Sequence, residues 1–290
     1  LNREFGYPIE GDDIGECWGI SAHPNGDGTV ASGAYKGMKL SELWEKHPEL
    51  FGDTGMDRFP LLVKIIDAKD DLSIQVHPDD AYAKAHENGS LGKTECWFIL
   101  DCKENATLVV GHNAKTKEEL EQMIHEGRWK EFIREIPIKP GDFIQIDPGT
   151  VHAIKGGTLL LETQQSSDIT YRVYDYDRLS NGKPRQLHIV QSIDVITVPA
   201  KSADNSVVHI EKKDDAIQQL IQCPYYTVYR IDVEHRVETW QDKPFVLMSV
   251  VEGEGTLNGT PLKKGDHLIL PDGYGKVELQ GRMQIIASTI

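Results

Sequence analysis

Nine residues, Leu72-Ser73-Ile74-Gln75-Val76-His77-Pro78-Asp79-Asp80, carry the first legible chemistry of this 290-residue chain. Read with the two-residue period of a strand, Ser73, Gln75 and His77 share one face, and Leu72, Ile74 and Val76 share the other. An amide and an imidazole two residues apart on an inward face are donors that a metal ion needs and a plain apolar core avoids. Two further ligand types follow: Glu95, on an expected strand from Thr94 to Leu100, and His152, just after the turn Asp147-Pro148-Gly149. Gln75, His77, Glu95 and His152 are therefore expected to form one metal centre. Two histidines, a carboxylate and an amide oxygen carry a single formal negative charge and leave room for water or substrate oxygens, which suits Zn²⁺. The same set contains two histidines and one carboxylate, which suits Fe(II), so ligand type by itself leaves both metals open. The plainer alternative is a hydrogen-bonded Gln75–His77 pair in a cleft, with Glu95 on the surface.

These side chains need rigid elements. Pro60-Leu61-Leu62-Val63-Lys64-Ile65-Ile66 is a nearly continuous apolar run, the mark of a strand buried on both faces. Asp79 or Asp80 is placed to cap a helix running through His86 and ended by Asn88-Gly89. Leu40 to Lys46 reads as a short helix that stops before Pro48, and Cys17 to Ser21 as a short strand. The spacing of Leu120, Met123, Ile124, Trp129, Phe132 and Ile133 predicts the longest helix over Lys115 to Glu135, with Trp129 and Phe132 as packing residues. From Ile136 onward, short strands alternate with Gly/Pro turns, as in a sandwich or barrel. His47, His86, His112, His125, His209, His235 and His267 have no paired ligands nearby in sequence and are expected on the surface.

Composition limits the possible partners. The chain is 39% hydrophobic and 27% charged, with 46 acidic and 31 basic residues and a net charge of −15. Such a balance argues against nucleic acid and anionic membranes, which need a basic surface, but leaves a local Lys/Arg cluster free to bind a small phosphorylated molecule. No run approaches the roughly 18 apolar residues of a membrane span. Cys17, Cys96, Cys102 and Cys223 lie far apart without a CxxC pair, which fits reduced packing residues and a cytoplasmic location.

A weak internal repeat is present. The stretch from Gly141 to His152 aligns without gaps on Gly265 to Lys276, at an offset of 124, while Asn105-Ala106-Thr107-Leu108 matches Glu254-Gly255-Thr256-Leu257 at an offset of 149. The difference is about the length of the helical segment, so the first copy reads as the second with helices inserted. Lys276 holds the position of His152, so the second copy reads as metal-free.

The Gly-rich turn leading to His152, present in two copies, resembles the second cupin motif and suggests a bicupin. Five segments in order extend the likeness: Phe59-Pro60-Leu61-Leu62-Val63-Lys64, Leu72 to Asp80, Lys93-Thr94-Glu95, Pro148-Gly149-Thr150-Val151-His152-Ala153 and Ser167-Asp168-Ile169-Thr170-Tyr171-Arg172. Together they resemble type I mannose-6-phosphate isomerases of the short bacterial form. That resemblance implies a mainly β protein of two cupin (jelly-roll β-barrel) domains with a small helical insertion at about 114–135. The expected division is a catalytic, metal-binding cupin over 1–196, a linker over 197–206 and a metal-free cupin over 207–290. It also implies one Zn²⁺ held by Gln75, His77, Glu95 and His152, a catalytic Arg172, and interconversion of mannose 6-phosphate and fructose 6-phosphate. Relatives carry an Arg-x-Trp-Gly-Gly strand ahead of the region that starts here, so the native start is expected upstream of Leu1.

Moving a proton between C1 and C2 of such a sugar needs a base, and Lys93 and Asp168 are the two candidates. Arg172 would stabilise the developing enediolate, unless it is tied up in an ion pair with Asp168, Asp175 or Asp177. Arg172, Arg178, Lys93 and Lys64 are the candidates for binding the phosphate, since no Gly-rich phosphate loop occurs. The competing functions are a cupin Fe(II) dioxygenase and a non-catalytic sugar-binding bicupin. The sequence does not specify an oligomeric state.

Overall fold

The computed structural model describes residues 1–11, 14–180, 182–202 and 207–290; positions 203–206 of the expected linker lie outside the described residues. The fold is mainly β. It divides into two compact units, Ile66–His209 and a second formed by Leu1–Ile65 with Ile210–Ile290. No described helix is long and apolar enough to cross a membrane.

In the unit Ile66–His209, two antiparallel sheets face one another. One runs Thr158–Gln165, Glu95–Cys102, Asp142–Ile146, Val207–His209; the other runs Tyr171–Tyr174, Ile74–Val76, His152–Ala153, Thr107–His112, Ile133–Pro137. Trp97, Ile99, Ile144 and Leu160 of the first sheet pack with Leu108, Val110 and Ile136 of the second to make the core between them. The second sheet is also covered outside. There Ile74, Val76, Val109, Tyr171 and Val173 meet Leu120, Met123, Ile124 and Phe132 of the helical insertion. Strand Thr107–His112 thus sends Leu108 and Val110 inward and Val109 to the helices, as a two-residue period requires. The same alternation in Ile74–Val76 gives its apolar face to the helices and turns Gln75 to the interior between the sheets.

Asp79 caps the helix Asp80–His86 by accepting from Tyr82 N at 2.8 Å. The single helix expected over Lys115 to Glu135 is not formed. It ends as Lys117–His125, a short turn Trp129–Phe132 follows, and Ile133–Pro137 is a strand. Gly127 at φ +65 breaks the helix, and Ile133 onward pairs with Thr107–His112, so tertiary pairing overrides the helical spacing.

The other unit is built on one sheet ordered Ala216–Gln222, Thr227–Val233, Gly275–Thr289, Val246–Leu257, Thr260–Lys263. The repeat is visible in its turns. Lys139 N donates to Asp142 Oδ2 at 2.8 Å and Gly141 N to Ile99 O at 2.9 Å. In the second copy Lys263 N donates to Asp266 Oδ2 at 2.8 Å and Gly265 N to Val250 O at 2.8 Å. Lys276, at the position of His152, pairs instead with Glu238 at 2.6 Å.

Three histidines differ from expectation; His47 is half-buried beside Tyr35. His112 is buried rather than exposed, because its strand lies between two neighbours, and its Nε2 donates to Thr197 O at 2.9 Å. His267 is half-buried, bonded to Ser249 Oγ at 2.8 Å and Tyr7 OH at 2.9 Å.

Candidate metal centre

Strand register brings the ligand-type residues together. Gln75 lies directly opposite His152 on one side and Arg172 on the other. Directly opposed residues project to the same face, so all three point between the sheets. From the facing sheet comes Glu95, fully buried, flanked by Ile146 and Gln164 on its two neighbouring strands. His77 follows strand Ile74–Val76, and its carbonyl accepts from Gly149 N at 2.9 Å. Gly149 has φ +80, and a Cβ there would stand 2.4 Å from Thr197 Oγ1, so the turn that links His77 to His152 requires glycine.

The ring nitrogens are already sorted. His77 Nδ1 donates to Ile169 O at 2.8 Å and His152 Nδ1 to Thr150 O at 2.9 Å. This fixes the tautomer that leaves each Nε2 lone pair facing inward. Those Nε2 atoms lie 3.5 and 3.3 Å from the Glu95 carboxylate, with the two rings 4.7 Å apart. Gln75 Nε2 is 3.2 Å from His152 Nε2. Lys93 Nζ stands 2.8 Å from Glu95 Oε2 and 3.1 Å from His77 Nε2. Apart from the Lys93 ion pair, neither buried Glu95 oxygen has a hydrogen-bond partner among the described residues. Buried carboxylate oxygens and imidazole lone pairs converging within 4.8 Å are what a divalent cation coordinates, so the residues present fit a metal.

Electrostatics agree. Burial, then the Lys93 ammonium, pushes His77 down to about 3, and burial also lowers His152. Burial would raise Glu95, but Lys93, His77 and His152 outweigh it and hold the carboxyl well below its usual range. Both imidazoles are therefore neutral and Glu95 is ionised at neutral pH, the states in which all three can bind a cation.

A pH dependence follows. An unfolded histidine gains its proton near 6.5, whereas His77 gains it only near 3 in the fold. Between those values the unfolded chain binds more protons, so stability falls as pH drops through 6.5 toward 3, and Glu95 adds to the loss below about 4.5. Urea midpoints of chelator-treated protein are expected to decline steadily from about pH 7.5 to about pH 5. A flat profile over that range would contradict neutral, buried imidazoles.

The remaining expected residues have different surroundings. Arg172 is half-buried and makes no ion pair among the described residues; Nη1 donates to Gln186 O at 2.8 Å, and Nε is buried without an acceptor. Asp175, one of its expected partners, is occupied by Arg178 and Arg185, each at 2.5 Å. Burial and then the charge of Arg185 lower the pKa of Arg172, which places three guanidinium groups in one neighbourhood. Sequence reasoning missed Arg185. The signal was the Asn-Gly pair at 181–182 in the sequence; the strands Leu179–Ser180 and Lys183–Pro184 pair, and Arg185 comes back to Asp175. Lys64 is buried and paired with Glu16 at 3.2 Å over the Trp18 ring. Asp168 is half-buried in the loop just before Ile169.

Residues 4–98 match the family profile of the phosphomannose isomerase type I catalytic domain, and 216–290 that of the mannose-6-phosphate isomerase cupin domain. A Bacillus subtilis protein named mannose-6-phosphate isomerase ManA is 52% identical over 98% of this chain and 92% of its own length. This chain belongs to the type I mannose-6-phosphate isomerase family. Another family member, mannose-6-phosphate isomerase from Streptococcus mutans, is 48% identical over 99% of the chain and 92% of its own length. The crystal structure of the mannose 6-phosphate isomerase from Bacillus subtilis superposes with a TM-score of 0.92 at 49% identity, covering 100% of this chain and 94% of that one. The structure of an Archaeoglobus fulgidus protein, 22% identical, shares the fold at a TM-score of 0.79, covering 97% of this chain and 89% of that one.

Proposed function

We propose that the chain is a zinc-dependent isomerase interconverting mannose 6-phosphate and fructose 6-phosphate. The observation that carries the reading is the buried convergence of His77, Glu95 and His152, with Gln75 and Lys93 beside them, in a member of this family. Gln75, His77, Glu95 and His152 would hold the zinc. A half-turn of the Gln75 amide exchanges its nitrogen and oxygen and turns an acceptor to the cation. Bound there, zinc supplies Lewis acidity that polarises the sugar carbonyl and acidifies the neighbouring C–H.

The chain's own groups do the rest. Arg172, in line with Gln75 across the sheet, directs its free N–H groups at the charge that develops over C1 and C2 as the enediolate forms. Lys93, anchored by Glu95, donates a hydrogen bond to a sugar oxygen. The proton moves between C1 and C2 by way of the Asp168 carboxylate, or of Lys93 in its deprotonated amine form, and hydrogen exchange at C2 in Lys93→Met and Asp168→Asn separates the two. Arg178 and Arg185, fixed by Asp175, meet the phosphate dianion as paired forks against the acidic background of the chain.

The test is a coupled assay for fructose 6-phosphate on protein stripped with chelator and then given Zn²⁺. Activity should vanish on stripping and return with zinc. A folded, zinc-loaded protein without activity toward mannose 6-phosphate would refute the substrate assignment and leave the metal site standing.

A further inference from the structure

Gln164 is fully buried on strand Thr158–Gln165, directly across from Glu95. Its Nε2 donates to two backbone carbonyls of the following turn, Gln165 O at 2.8 Å and Ser167 O at 2.6 Å. Both partners are acceptors, so the orientation of the amide is fixed: turning it over would set an oxygen against two carbonyls. The turn is closed further by Ser167 N on Gln165 O at 2.7 Å and by Ser167 Oγ on Leu91 O at 3.0 Å. Two residues on, Ile169 O receives the Nδ1–H of His77 at 2.8 Å.

We infer that Gln164 is a positioning residue of the metal centre: from beside Glu95 it pins the turn whose Ile169 carbonyl aims His77. This rests on the zinc reading proposed above. One side chain thereby ties a ligand on one sheet to the orientation of a ligand on the other. The chemistry asks for a primary amide at this place. Its two N–H groups match two converging carbonyls, which a hydroxyl cannot do. A carboxylate would repel them, and a thioether of the same length would leave them with less donation. Partners that orient a metal-bound imidazole through its other nitrogen alter metal affinity by about 10- to 100-fold when lost.

The experiment compares Gln164→Met with the unaltered protein by zinc competition against a chromophoric chelator. Absorption spectra of the Co²⁺-loaded forms are recorded alongside, since the d–d bands report ligand geometry. The expected result is zinc affinity lowered about 10- to 100-fold and a changed Co²⁺ spectrum, with the urea midpoint of the chelator-treated form lowered far less than zinc affinity would suggest. Equal zinc affinity and an unchanged Co²⁺ spectrum overturn the inference. So does a fall in apo stability without a change at the metal, which would make Gln164 merely structural. If the unaltered protein itself binds no zinc, the metal reading fails instead. Should Q164M not fold, Gln164→Asn, which keeps the amide but withdraws it by one bond, gives the same comparison.

Discussion

Glu95→Gln is expected to remove zinc binding and isomerase activity together, and to weaken the fold even before metal is considered. The carboxylate is fully buried, stands 2.8 Å from the Lys93 ammonium and lies 3.5 and 3.3 Å from the Nε2 atoms of His77 and His152. Gln keeps the shape and loses the charge. The amide turns an N–H or a neutral oxygen toward lone pairs that need a cation, and Lys93 stays buried without the carboxylate beside it. Breaking a buried charge pair by neutralising one partner costs about 3–5 kcal/mol. Urea unfolding of the chelator-treated variant should show a loss of that order, and zinc titration should show no binding at micromolar metal. A variant that keeps zinc and unfolds within about 1 kcal/mol of the parent would refute the role given to Glu95.

Arg172→Ala is the second large effect, and its signature is different. The guanidinium makes no ion pair among the described residues, is anchored through Nη1 on Gln186 O at 2.8 Å, and keeps a buried Nε without an acceptor. A structural arginine would have its donors filled; the Nη2 of this one, on the same face as Gln75, makes no hydrogen bond among the described residues. Its removal should leave zinc affinity intact and lower kcat about 10²- to 10³-fold, the usual loss when one donor to a developing oxyanion is deleted. Arg172→Lys should recover little, because a point ammonium cannot reproduce the planar fork. Unchanged kcat with raised KM would move Arg172 from the reacting carbons to substrate binding.

The faces of the individual strands were legible in the sequence. Alternation over Leu72 to His77 separates Ile74 and Val76 from Gln75 and His77, and the fold places the first pair against the helices and turns Gln75 and His77 toward the centre. The capping residue Asp79, the short helix Leu40–Lys46 and the doubled Gly-Asp turn at 141–142 and 265–266 were also readable, because each depends on a few neighbouring residues. The helix over Lys115 to Glu135 misled for the same reason: local spacing favoured it, and pairing of Ile133–Pro137 with a distant strand decided otherwise.

What the sequence determined by itself was the inventory of the site: which donors exist, on which face of which strand, and at what cost if left in an apolar core. Only the tertiary structure decided how they meet. That Glu95 stands opposite Gln164, that Lys93 reaches both Glu95 and His77, that Arg185 rather than Arg172 holds Asp175, and that Ile169 and Thr150 carbonyls aim the two imidazoles are consequences of register and loop closure. Side-chain direction repeats every two residues and can be read along one strand. Register between strands far apart in the chain is fixed by packing of the whole core, and no single segment contains it.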